Sequence, residues 1–393
     1  MAKLQIDEIG GIRGWAALIA YIFHALLLHD HPWREYFDGY FMVLIFFALS
    51  GDALSVSFTR EVNPGVSPTA PLKRVLRLSG VAILCLLLTY LSIDWGLVKS
   101  VEAGGLARVG NLQNLIQGNP SDISLENDVF YSGLIGMYHA PPRFIYFLWT
   151  MRAEFAGSLV VFAIGSVFPR LRFRPVILGL AMWFYYYYDR HITLFLFGIF
   201  LGQCRTMGIF AFSHRVLALR ALSGLAVFSF PFMHRFSNGP PRDSPPADMI
   251  ASACWILFCI YASKDAVWFF STKVSYFLGE ISFPLYVLSA LLMGTLQSEL
   301  IIRIISAGKD IRATEWAVLC SVATGIVLIF LACIVRFIEM GYLRLLDKAV
   351  DLLVNPNRDV EKKEAYKPIP ETDDLPDTEK GTPVEIEVAR QIE

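Results

Sequence analysis

Long apolar runs separated by short polar connections dominate the chain, and strict alternation of apolar and polar residues is missing. A run of about 18 residues or more, coiled as an α-helix, matches the hydrocarbon thickness of a bilayer. Without alternating strands, a barrel is not expected. The pattern predicts about ten spans, near 12–28, 39–58, 79–98, 144–168, 174–188, 191–204, 217–233, 248–262, 275–296 and 315–338. The expected fold class is therefore all-α: a polytopic transmembrane helix bundle over residues 1–345, followed by a polar tail at 346–393. From Asn355 onward Glu, Asp, Lys and Pro prevail, a composition that cannot bury a core and predicts disorder.

Charge orients this bundle. Short connections carry Arg60, Lys73, Arg74 and Arg77, then Arg170, Arg172 and Arg174, then Arg205, Arg215 and Arg220. The positive-inside rule places these in the cytoplasm, and with them both chain termini. Arg303, Lys309 and Arg312, in the last outer connection, fit that scheme less well. The first run follows Lys3 with no small-residue cleavage site after it, so it is expected to be retained as a span. The resulting expectation is a multi-pass protein of a bacterial inner membrane or a eukaryotic endomembrane, in contact with membrane lipids and with no nucleic acid. Composition agrees: only 18% of the 393 residues are charged, against about 25% in soluble domains. The six cysteines lie in or beside apolar runs and form no CxxC pair, so they read as small hydrophobes. "WFYYYYDRH" (183–191) fits an interfacial aromatic belt, and Gly198 with Gly202 gives a small-xxx-small packing spacing.

Ionisable residues inside spans are costly, and function is their default explanation. Arg13 and His24 stand eleven residues apart in the first run. At about 100° and 1.5 Å per residue they share a helix face, roughly 16 Å apart, with the small Ala17 and Ala20 between them. The helix is thus expected to offer a shallow groove, with a cation at its mouth and an imidazole near mid-membrane. Such a groove suits a long ligand that is anionic at one end and reactive at the other. Lipid disfavours an imidazolium, so a neutral His24 able to accept a proton is expected. The plainer reading has Arg13 snorkelling to the headgroups and His24 bonded to a neighbouring helix.

Lys73, Arg74 and Arg77 form a second cationic group, with Arg74 and Arg77 on one helical face. Paired guanidiniums suit phosphate, and an anchor on anionic lipid explains them equally. Asp52 lies inside the second span, where a carboxylate must be paired or protonated. Arg152 and Glu154 fall in the outer half of the fourth. Metal binding by His29 and His31 lacks any further ligand pattern, and no metal site is assigned.

Taken in order, these segments resemble membrane-bound acyltransferase family three. "IRGWAALIAYIFH" is similar to its first-helix signature, a cation followed by histidine, and "FFALSG", which contains Ser50, to its second-span motif. "RVLR" matches its Arg-x-x-Arg pair, "LWTMRAEFAGS" its Trp-Thr…Glu motif, and "GEISFPLYVLS", which contains Ser282, its late motif. The resemblance implies transfer of an acyl group, usually acetyl, from cytoplasmic acyl-CoA to a hydroxyl of a glycan, lipid or small metabolite. Acyl-CoA is then a donor cosubstrate and no tightly bound cofactor is expected. By the same resemblance His24 and Arg13 with Glu154 are the catalytic candidates, and Arg74 and Arg77, with Lys73 beside them, the donor-binding ones. Asp52, Ser50, Arg152 and Ser282 are the remaining intramembrane polar positions. The chain departs from the family pattern at Asp52, at Ser289 where many members carry histidine, and at Gly10 where an acidic residue is common. Two alternatives follow: an inactive relative of the enzyme, and a transporter whose charged residues line a solute path. No internal repeat supports the latter.

Overall fold

A computed structural model describes residues 7–59, 66–116, 123–139, 145–233 and 245–354. The tail beyond 354, Lys3, Arg60 and most of the loop near 237–248 lie outside them. Among the described residues no strand occurs, and the chain is a bundle of helices.

Its elements in chain order are α1 (Asp7–Leu27), α2 (Gly39–Thr59), α3 (Ala70–Asp94), and the short α4 (Ser100–Ala107), α5 (Gly110–Gln113) and α6 (Ser132–Leu134). There follow α7 (Thr150–Val167), α8 (Arg174–Tyr188), α9 (Arg190–Thr206), α10 (Ile209–Arg215), α11 (Leu217–Met233), α12 (Ala247–Ala262) and α13 (Lys264–Phe270). The chain closes with α14 (Lys273–Leu292), α15 (Ser298–Ser306) and α16 (Thr314–Val354). Each of the ten expected apolar runs falls on a helix, but ten spans are not confirmed. Among the described residues six helices are long and apolar enough to cross a bilayer, or eight if the bent pairs α9–α10 (60°) and α12–α13 (94°) each count as one span. Length decides the difference. The 15 residues of α8 rise only about 23 Å, short of the roughly 30 Å hydrocarbon core.

Glycines set how closely the central helices approach. On α1, a Cβ at Gly14 would overlap the backbone of Leu278 and Gly279 on α14, so the two helices meet nearly backbone to backbone. Trp15 Nε1 donates to Ser275 Oγ (3.0 Å) and the Tyr21 hydroxyl to the Ser321 carbonyl (2.6 Å), tying α1 to α14 and α16. A second seam joins α2 and α9, where a Cβ at Gly198 would overlap the Ala48 carbonyl. The Gly198–Gly202 spacing thus packs helices, as its small residues predict.

Two features depart from simple crossing helices. Residues 125–138, which fall between the third and fourth expected spans, run alongside α3, and the Tyr138 hydroxyl lies 3.2 Å from Ser79 Oγ. One side of the segment packs inward, with Val129 and Met137 fully buried, while Phe130, Tyr131, Leu134 and Ile135 stay exposed. The second is α16, whose 41 residues span about 62 Å and continue past residue 345 beside the start of α3.

Candidate active site

The site is built where α1, α2, α3, α7, α14 and α16 converge, near the end of the bundle that carries the N-terminus of α1. This end is called proximal below, and the opposite end distal. Two cavities meet there. The larger, about 400 Å³, is walled by Arg13, Arg77, Glu280, Ser282, Arg336 and Glu339. The smaller, about 50 Å³, lies among Arg13, Ser50, Thr150, Glu154, Ser282 and Tyr286. Arg13 and Ser282 belong to both walls, so the guanidinium of α1 stands at the junction.

The walls follow from helical spacing. Arg13 lies nearly two turns into α1, and its guanidinium sits over the Phe46 ring of α2 at 5.9 Å. Its Nε–H is buried with no acceptor. Ser50 is one turn further along α2 and 2% exposed. Ser282 donates back to the Gly279 carbonyl (2.8 Å), the intrahelical bond open to a serine inside a span. Glu154, in the first turns of α7, is held by Arg74, whose Nε–H also reaches Ser158 Oγ (2.7 Å). Ser158 in turn donates to the Glu154 carbonyl (2.6 Å), closing a compact network between α3 and α7.

The expected polar residues therefore divide. Arg13, Ser50, Glu154 and Ser282 come together around one small cavity, and Arg77 opens onto the larger one. Arg74 serves Glu154 rather than the larger cavity. Lys73 is turned to Asp347 on α16 (2.9 Å). Arg152 points outward and is exposed, away from both cavities, because the residue two before Glu154 lies on the opposite side of α7. Asp52 is fully buried elsewhere: Arg205 of α9 clasps both its oxygens (2.9 and 2.8 Å), and the Tyr261 hydroxyl donates to it at 2.7 Å. Ser289 donates to the Tyr286 carbonyl within its own helix (2.6 Å).

His24 occupies the last turn of α1, distal to the mid-membrane depth its place in the run predicts. The Phe147 ring lies 4.5 Å from the imidazole, and Tyr286, on the wall of the small cavity, stacks on Phe147 at 5.7 Å. The Tyr286 hydroxyl donates to the Phe147 carbonyl (3.1 Å) and fixes that layer. The groove is thus not open from end to end: His24 lines neither cavity, and the rings of Phe147 and Tyr286 lie between the imidazole and the wall of the smaller one. Gly39 of α2 packs closely here: a Cβ at this position would come within 2.7 Å of the Phe23 ring and 3.0 Å of His24 Nε2.

Three charged residues of the larger cavity were not anticipated. Arg336 and Glu339 fall where the last apolar run ends, a place where charges are ordinary, and Glu280 sits in the late motif, so none of the three stands out in the sequence. In the structure Arg336 bonds Glu280 (2.6 Å) and Glu339 (2.9 Å), and Arg77 lies 3.5 Å from Glu339. Near the distal end, His29 and His31 are structural. The His29 Nδ1–H donates to the Ile311 carbonyl (3.0 Å), and His31 Nε2 lies 3.2 Å from Thr314 Oγ1. Among the described residues no group of three or more potential metal ligands is found.

Comparison with known families bears on this arrangement. The family model for the acyltransferase 3 group, described as an acyltransferase domain, matches residues 6–335. No curated protein and no solved structure matches the chain. The match runs from the start of α1 to the residue before Arg336, and so takes in Arg13, His24, Arg74, Arg77 and Glu154 in one continuous domain. With its all-α bundle and several apolar crossing helices, the chain is an integral membrane protein that belongs to the acyltransferase 3 family.

Proposed function

We propose that the protein moves an acyl group, acetyl in the first instance, from cytoplasmic acyl-CoA to a hydroxyl of a carbohydrate, lipid or small metabolite. The observation that supports this best is the position of Arg13. It lines both a large cavity rimmed with guanidiniums and a narrow pocket that holds Glu154, and it stands on the helix that also carries His24.

In this reading the donor's phosphates rest in the larger, proximal cavity, with Arg77 on its rim. Its thin pantetheine arm passes Arg13 along the face of Ala17 and Ala20, which is packed against its neighbours and has to part to admit it. Eleven residues of helix give the arm about 16 Å to cover. Glu154 and Arg74 neutralise each other beside this path, so neither presents a bare charge to the apolar stem of the donor. Phe147 has to swing aside for the thioester to meet His24.

The chemistry is a transfer in which His24 is the base. Its free imidazole nitrogen takes the acceptor's hydroxyl proton while the oxygen attacks the thioester carbonyl carbon. The tetrahedral intermediate expels the thiolate by breaking the carbon–sulfur bond, and the imidazolium returns the proton to sulfur. The products are an ester and free CoA, and His24 is regenerated. Base catalysis of this kind contributes about 10²–10⁴-fold, and a site closed by aromatic rings keeps water from the thioester.

The test is direct. Purified protein is given labelled acetyl-CoA and a cell extract, and mass spectrometry finds what gains the label. His24→Ala is expected to lose at least 100-fold in transfer while still inserting and eluting as a folded protein. Full activity in that variant ends the proposal.

A further inference from the structure

The larger cavity carries charges of both signs, and they are not equally held. Glu339 is 4% exposed and bonded to Arg336 at 2.9 Å. Arg336 is also bonded to Glu280 on α14 at 2.6 Å. Arg77 differs from both: its side chain is 53% exposed and its contact with Glu339 is loose, at 3.5 Å. Arg13 and Arg336 each keep a buried Nε–H without an acceptor. The cavity thus holds three guanidiniums, unmet hydrogen-bonding capacity, and a carboxylate resting against the most accessible of the three. Arg336 and Glu339 also lie just past the last residue matched by the family model, so the match assigns them nothing.

We infer that Arg336 and Glu339 of α16 complete the donor site as a counter-ion exchanger: Glu339 occupies Arg77 while the site is empty, a phosphate of the donor displaces it, and Arg336 keeps the released carboxylate neutral. This rests on the acyl-CoA reading above. The physical reasoning is electrostatic. An Arg77 left bare at the cavity rim would hold a phosphate tightly and slow the departure of CoA, which carries the same phosphates as the donor. Exchange of one anion for another on the same guanidinium leaves the net interaction small, so binding is reversible and sensitive to salt. Without Arg336, the displaced carboxylate would sit unpaired beside an incoming phosphate, where like charges in a partly buried site repel strongly.

The experiment compares binding of CoA and of acetyl-pantetheine, which lacks phosphates, to the full chain in detergent by calorimetry. Glu339→Gln removes the charge and keeps an oxygen for Arg336. It is expected to tighten CoA about three- to tenfold, a change of about 0.7–1.4 kcal/mol at 1.4 kcal/mol per tenfold, and to leave acetyl-pantetheine unchanged. In an Arg77→Ala background that gain should vanish, which a general change of cavity charge would not produce. A gain in affinity cannot arise from misfolding. Should Glu339→Gln fail to purify, Glu339→Asp draws the carboxylate back from Arg77 and should give a smaller tightening of the same sign. Unchanged or weaker CoA binding in a folded Glu339 variant overturns the inference and leaves the acyl-CoA reading standing. Failure of the unaltered protein to bind CoA overturns both.

Discussion

Asp52 shows how a single side chain inside the membrane can look functional and be structural. Its carboxylate is fully buried, yet Arg205 and Tyr261 supply three donors to it. Removing one member of a buried ion pair costs about 3–5 kcal/mol when the other is stranded. Arg205→Ala leaves a fully buried carboxylate with Tyr261 as its remaining side-chain donor and is expected to fall in that range. Asp52→Ala should cost less, because the Arg205 side chain is already 21% exposed. Unfolding of the two variants in detergent by denaturant titration measures both losses, and a larger loss for Asp52→Ala would contradict this account. The sequence makes Asp52 conspicuous but hides its partners, which lie 153 and 209 positions away on helices whose crossing no local pattern encodes. The candidate site divides along the same line. Arg13, Ser50, Glu154 and Ser282 are visible as polar interruptions of apolar runs, and they do converge. Arg336 and Glu339 sit where a run fades, in a place where charges are ordinary, so only the fold reveals that they face a cavity.

At the scale of elements, helix length and helix ends carry the consequences. Periodicity and apolar runs found every long helix, but a run of 15 residues and one of 25 look alike until the rise of the helix is counted. The distal end of α1 makes a measurable case. His29 is buried with its Nδ1–H on the Ile311 carbonyl, and its Nε2 has no partner. Burial pulls its pKa down to about 4, against a small opposing effect of that hydrogen bond. A base with a lowered native pKa binds fewer protons folded than unfolded between the two values. The dock of α1 on the segment before α16 is therefore fully stable above about pH 6.5 and weakens as pH falls toward 4, by roughly 3 kcal/mol. Thermal unfolding of the unaltered protein and of His29→Gln over this range checks the sign: the variant should lose the part of the pH dependence that His29 supplies.

For the whole molecule, the alternation of helix direction fixes which connections share a face of the membrane. Ser67 lies between α2 and α3 at the proximal end, and Lys309 between α15 and α16 at the distal end, where Arg312 lies 3.6 Å from Asp30. With the proximal end in the cytoplasm, a cysteine at Ser67 should react with an impermeant maleimide only from the cytoplasmic side, and one at Lys309 only from the other. Reaction of both from a single side in sealed vesicles would refute the arrangement.

A tunnel through a bilayer is a hazard to the cell that owns it, since any standing file of water could dissipate the ion gradients held across that membrane. Phe147 sits between the imidazole of His24 and the wall that includes Tyr286. In the proposed transfer that flat ring has to turn about its own bonds to admit a slender chain and shut behind it, which would keep the two faces electrically insulated while the acyl group moves.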